Sequence, residues 1–177
     1  EPAASPAESP SAAQGPPLWV ACWVDYTKRY GLGYLLSDGS VGVYFNDSTK
    51  LVLSADGALA EYTERAPPAR EGGARPPARF RTFLVADAPE ELSKKMTLGH
   101  HFSAYVHDMY ARKEPKCPFE EEAMREGRAR AAERTARFEG RDLSGEGPSP
   151  SGFVYVKKWV RTKNAVLFRL SDRTVQV

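Results

Sequence analysis

The sequence predicts an α+β fold: a six-stranded antiparallel sheet with one packed C-terminal helix, followed by the first strands of a second, incomplete unit. Three observations carry this expectation. Short aromatic and β-branched runs alternate with tight polar turns, which is the spacing of hairpins and not of βαβ crossovers. One central stretch switches to helical period. The first hairpin also recurs, 134 residues further on.

Residues 1–17 hold five prolines among small and polar residues and cannot bury enough apolar surface to fold, so they are expected to be a disordered linker. Glu1 in place of an initiator methionine points to a fragment or a processed product. From Leu18 the character changes. Trp19, Val20, Trp23, Val24 and Tyr26 form a first strand, and Tyr30–Leu36 a second, closed by the turn Ser37-Asp38-Gly39-Ser40. Val41–Phe45, Leu51–Leu53, Leu59–Thr63 and Phe80–Val85 supply four more. The turns between them are Asn46-Asp47-Ser48-Thr49, Ala55-Asp56-Gly57 and a loose Pro/Gly-rich loop over 66–78.

Asp87–Arg112 reads as the helix. Asp87 is placed to cap it, Pro89 suits its first turn, and Glu90-Glu91 oppose the positive end of its dipole. Leu98, Phe102, Tyr105 and Met109, with His101 and Val106 alongside, make the expected apolar face. Residues 18–112 are thus one domain. Residues 113–152 form a charged linker that has helical potential, with seven acids and six arginines over 120–142. Glu121–Arg125, Glu126–Arg130 and Glu133–Arg137 are spaced for i, i+4 pairing, while Gly127 and Gly140 limit a helix.

Leu36-Ser37-Asp38-Gly39-Ser40-Val41-Gly42-Val43 is echoed by Leu170-Ser171-Asp172-Arg173-Thr174-Val175-Gln176-Val177, and Trp23-Val24 by Trp159-Val160 at an offset of 136. This is either a duplicated unit or a pair of hairpins that share common turn chemistry. Under duplication, residues 153–177 are the opening of a second copy that lacks its later strands and helix.

Catalytic signals are weak. Gly31-Leu32-Gly33 lacks the third glycine and crossover helix of a nucleotide loop. Arg141-Asp142-Leu143 has Gly140 where a kinase catalytic loop has His, and Gly147 at its metal-binding Asn position. His100, His101 and His107 lack metal-ligand spacing, and Cys22 and Cys117 form neither a disulfide framework nor a zinc motif. No cofactor is expected. Twenty-five basic residues against 23 acidic ones, a net charge of +2, leave no electrostatic footprint for nucleic acid or anionic membrane. No secretory leader or apolar run of about 20 residues is present. Trp23 and Trp159 each open a strand unit and suit either a core anchor or an apolar wall for a bound peptide. Ser5-Pro6, Ser9-Pro10 and Ser149-Pro150 have the form of proline-directed phosphorylation sites in linkers.

Trp23-Val24-Asp25-Tyr26, Tyr30-Gly31-Leu32-Gly33-Tyr34 and Val41–Leu51 together strongly resemble the first polo box of the polo-like kinases. Lys94-Lys95-Met96-Thr97-Leu98, with Phe102 and Tyr105, resembles the helix that closes that box. Lys158–Thr162 and Leu170–Val177 resemble the start of the second box. Within the family, the Pro/Gly-rich loop and the Arg/Glu/Ala-rich linker fit the divergent, kinase-deficient fifth member best. The resemblance implies two packed boxes that dock peptides carrying Ser followed by phospho-Ser/Thr and Pro. The implied role is a mitotic, cell-cycle scaffold in cytoplasm and nucleus, at centrosomes or nucleoli, and not a secreted protein. It places Trp23 against the ligand's serine, Val24 and Asp25 as backbone contacts, Tyr110 on the groove wall in place of a leucine, and Arg161 on the groove wall from the second box. The family's phosphate-gripping His and Lys lie in an Asp-His-Thr-Lys run that this sequence does not contain. Phosphate recognition needs such charge-assisted donors, so phosphopeptide binding is expected to be impaired. Partners are expected to be proteins with Ser-Ser/Thr-Pro-like motifs, phosphorylated or not.

Overall fold

The computed structural model describes residues 18–177 except Arg70, Glu71, Arg75, Pro115, Lys116, Glu139, Arg141, Asp142 and Pro148. The expected linker over 1–17 and the Arg141-Asp142 pair of the kinase-loop look-alike lie outside the described residues. Among the described residues, ten strands and two helices follow in order. They are β1 (Val20–Tyr26), β2 (Gly31–Leu36), β3 (Val41–Phe45), β4 (Lys50–Leu53), β5 (Leu59–Thr63), β6 (Arg79–Leu84), α1 (Ser93–Ala111), α2 (Pro118–Arg137), β7 (Leu143–Glu146), β8 (Val156–Arg161), β9 (Val166–Leu170) and β10 (Val175–Gln176).

β1 to β7 form one antiparallel sheet in sequence order, and β8 to β10 a second. The sheet expected to have six strands has seven, because β7 returns from the linker to pair with β6, from Arg79↔Glu146 to Thr82↔Leu143. Leu-Ser-Gly-Glu carries no strand-forming residue. β7 exists because β6 would otherwise present an open row of donors and acceptors.

α1 lies across one face of the large sheet, where Met96 and Phe102 meet Val43, Phe45, Leu51, Leu53, Ala60 and Phe83. Gly33 makes this approach possible, since a Cβ there would sit 2.2 Å from Cδ1 of Phe102. The glycine that imitated a nucleotide loop is a seat for an aromatic ring. The helix is rotated relative to the sequence expectation. It buries Met96, Gly99, Phe102, Val106 and Tyr110, while Tyr105 and Met109 are exposed. It also starts later than expected. Two short 3-10 turns (Val85–Asp87 and Glu90–Leu92) precede it, so Asp87 does not cap it.

The second sheet covers the opposite face over β1 to β3, burying Val20, Leu32, Tyr34 and Leu36 against Val156, Phe168 and Leu170. The repeat extends to the backbone. Both β1 and β8 carry a bulge at the same place, Val20/Cys22 and Val156/Lys158, with partners Leu36/Leu35 and Leu170/Arg169. Both following turns take a left-handed residue, Gly39 (φ 84°) and Arg173 (φ 78°). In both, an Asp Oδ1 accepts the amide two residues on, at 2.9 Å. Each unit also satisfies the other's bulged strand. Tyr34 Oη accepts the Val156 amide at 2.9 Å. In return, Gln176 accepts the Val20 amide at 2.7 Å and donates to the Val20 carbonyl at 3.0 Å.

α2 is a 20-residue helix that is polar over most of its surface but docked along one line, where Met124, Gly127 and Ala131 are buried. Of the expected pairs, Glu126–Arg130 (3.6 Å) and Glu133–Arg137 (3.8 Å) form, while Arg125 turns to Glu122 at 2.6 Å and not to Glu121. Gly127 does not limit this helix; it permits the docking. A Cβ there would lie 2.0 Å from the carbonyl oxygen of Asp38. Gly127→Ala is therefore expected to destabilise the chain. Overpacking costs about 1–3 kcal/mol, and the backbone contact puts this site at the upper end. The helix-propensity gain of Ala over Gly is only about 1 kcal/mol. Urea denaturation of the two proteins checks the sign.

Candidate docking edge

β1 is one outer strand of the large sheet, with β7 the other, and β8 is one outer strand of the small sheet, with β10 the other. Ladder alternation sets which backbone groups face outward. Ser37 N–H bonds the Trp19 carbonyl and Tyr30 N–H the Tyr26 carbonyl, whereas Val20 bonds across to Gln176. Past the bulge, Cys22, Val24 and Tyr26 therefore point their backbone groups at β2, and Trp23 and Asp25 point theirs at the open edge.

Three of the five residues expected from the sequence meet on this edge. The Arg161 guanidinium donates to Asp25 Oδ2 at 2.9 Å and lies over the Trp23 indole, 5.7 Å from its centroid. Phe168 supports the indole from below, edge-on at 6.0 Å. Trp23 packs against the inter-sheet core and is half-buried, so its core-anchor role is met while part of the residue stays accessible at the edge. Val24, expected as a backbone contact, offers this edge neither group, because its backbone bonds β2 and its side chain packs toward α1. Tyr110 is not brought to this edge. It is buried among Leu35, Val41, Val106 and Met124, with its hydroxyl 3.4 Å from Glu120. The reason is α2, which covers the end of α1.

Sequence reasoning missed Thr27 and Phe168. Thr27 donates its hydroxyl and its amide to Asp25 Oδ1, at 2.5 and 3.0 Å. The Asp-x-Thr spacing is a readable signal for such a turn. The Thr27 hydroxyl, with burial opposing it and the Thr27 amide and Arg161 assisting, holds the Asp25 carboxyl below the ordinary aspartate range. A carboxyl with a depressed folded pKa stabilises above its unfolded value of about 3.9, and that contribution is lost as pH falls through the folded value. The stability gap between the chain and Asp25→Asn is thus expected to be constant from pH 7 to 5 and to shrink only below about pH 4. Thermal midpoints across that range test it.

Beside the C-terminal end of β1, on the α1 face, lies a cleft of about 390 Å³ lined by Tyr26, Tyr30, Thr97, Leu98, His101, Phe102 and Tyr105. Its rings meet edge-on, Tyr26 with Phe102 and with Tyr105, both at 6.0 Å. This cleft is why Tyr105 remains exposed. Among the described residues no group of His, Cys, Asp and Glu could hold a metal ion, and no helix is long and apolar enough to cross a membrane.

Residues 28–96 match the family model described as "POLO box duplicated region". The chain is 36% identical over 163 residues to "Probable serine/threonine-protein kinase CCRP1" of Zea mays, covering 92% of this chain and 21% of that protein. It is 33% identical over 171 residues to "Serine/threonine-protein kinase PLK1" of Xenopus laevis, covering 96% and 22%. The chain therefore spans about a fifth of the length of the curated relatives it matches. In fold it is similar to the budding yeast Cdc5 polo-box domain crystallised in complex with Spc72 phosphopeptide. There the TM-score is 0.59 at 21% identity, over 95% of this chain and 50% of that one. A Cdc5 polo-box domain in complex with the Dbf4 polo-interacting region is similar too, with a TM-score of 0.56 at 22% identity, over 95% and 50%. The antiparallel sheet closed by α1, the family match within it and the kinship along nine-tenths of the sequence make this chain a polo-box region of the polo-like kinase family.

Proposed function

We propose that this chain is a non-catalytic protein-interaction module of cell-cycle control that takes an extended partner segment against the β1 edge. A segment added to an edge strand is held by main-chain bonds and read by alternate side chains. Here one set would face Trp23 and Arg161, and the other the aromatic cleft of Tyr26 and Tyr105. The observation that carries the reading is Arg161, a residue of the second sheet, lying over Trp23 of the first. Partners are proteins with Ser-Ser/Thr-Pro-like segments, encountered in the cytoplasm and nucleus. The composition of the 66–78 loop and of the linker supports the kinase-deficient branch of the family.

Phosphate adds little to docking in this reading, because Arg161 is already matched by the Asp25 carboxylate and a phosphate must compete for it. Calorimetry with a Ser-phosphoThr-Pro peptide and its unphosphorylated twin is expected to give affinities within about tenfold of each other. A loss above about a hundredfold on removing the phosphate would favour the second reading, a true phosphopeptide reader. That reading is supported by the phosphopeptide complex of the similar Cdc5 domain.

A further inference from the structure

The face of the large sheet away from α1 buries a carboxylate that the docking edge does not use. Glu61, at the centre of β5, is 1% exposed. It accepts Thr82 Oγ1 at 3.0 Å and the hydroxyl of Ser151. Ser151 has a single hydroxyl proton, committed to Glu61, so the Ser149 hydroxyl 2.6 Å away is the donor to Ser151 Oγ. Ser149 Oγ also accepts the Ser151 amide at 3.2 Å. This relay fastens the linker just ahead of two anchors. Phe153 packs on Val52 and Leu59. Tyr155 exchanges hydrogen bonds with Ser171 of the second sheet, its amide to Ser171 Oγ at 3.1 Å and its carbonyl from the Ser171 amide at 2.9 Å. The Glu61 charge reaches the second anchor: burial, and then Glu61, push the Tyr155 phenol up.

Ser149 precedes Pro150, which is exposed in a turn. We propose that Ser149 is a phosphorylation site for a proline-directed protein kinase, and that phosphate there releases the linker from Glu61 and loosens the second sheet from the first. The kinase and ATP are the co-reactants. Ser149 Oγ bonds to the γ-phosphorus, the bond from that phosphorus to the β–γ bridging oxygen breaks, ADP leaves, and the hydroxyl proton passes to the kinase's base. The product loses the donor that Ser151 needs. It also puts a dianion on an oxygen that stands only two hydrogen bonds from a buried carboxylate. Two cations on the rings beside this network, Lys50 over Tyr155 at 5.6 Å and Arg134 over Phe153 at 4.7 Å, are already engaged there.

The test treats the purified chain with a proline-directed kinase and ATP, maps the phosphate by mass spectrometry, and follows amide hydrogen exchange. Phosphate is expected on Ser149, with exchange over 149–156 about tenfold faster. Glu61→Gln, which keeps the acceptor and removes the charge, should abolish most of that increase. Ser149→Asp should reproduce the increase and Ser149→Asn should not, a comparison that stands even if Glu61→Gln fails to fold. Three results would each overturn the proposal: Ser149 left unmodified while Ser5 or Ser9 is phosphorylated, unchanged exchange after modification, or slower exchange because Lys50 or Arg134 captures the phosphate.

Discussion

Tyr34→Ala is expected to destabilise the chain by about 3–5 kcal/mol, the range for removing a large aromatic side chain from a core. Tyr34 is fully buried and fills the space above Gly42, where a Cβ would lie 2.1 Å from its Cζ. Burial pushes its phenol well above the usual range, so it remains a neutral hydroxyl accepting the Val156 amide. Tyr34→Phe separates the two roles. It keeps the ring and strands the Val156 N–H, at about 1–3 kcal/mol. Urea midpoints give the magnitudes, and amide exchange gives the location: the Phe variant should free Val156 while leaving β4 to β6 protected. Equal stability of Tyr34→Phe and the parent would show that the ring alone joins the sheets.

Trp23→Ala should weaken peptide docking by about thirtyfold or more, the loss typical of a central aromatic anchor. The indole packs between Phe168 beneath it and Arg161 above it. Removing it empties the edge and frees the guanidinium to follow Asp25. Trp23→Phe keeps a ring against Phe168 with less area at the edge, and its affinity should fall between the two. Urea denaturation of both variants distinguishes lost docking from lost packing. Unchanged peptide affinity in a folded Trp23→Ala protein would place the docking surface elsewhere, with the aromatic cleft of Tyr26 and Tyr105 next to be tested by Tyr105→Ala.

Local signals made β1 to β6 legible, since the alternation and turn residues that define a hairpin lie within a few positions of each other. The helix was legible as a helix, but its buried face was not. Tyr105 and Met109 continue the apolar stripe in sequence, yet they stay exposed, and Met96, Gly99 and Tyr110 are buried instead. Tyr110 was a groove candidate only through the family resemblance, which places it where a groove-lining leucine would stand. Only the docking of α2 shows that it is covered. Gly127 looked like a helix breaker because propensity is a property of an isolated helix, and the contact with Asp38 is not.

Hairpin order, the presence of α1 and the repeat could be read from the chain alone, while Asp25 and Arg161 became site candidates only through the family resemblance. Packing supplied the rest. It converted the repeat into two sheets that satisfy each other's bulged strands, recruited β7 from a segment with no strand propensity, and closed Arg161 on Asp25 across 136 residues of sequence. The difference is one of range. Propensity and turn chemistry act over a few residues. The pairing of an open edge, the burial of a ring over a glycine and the meeting of two charges depend on which surfaces the fold brings together.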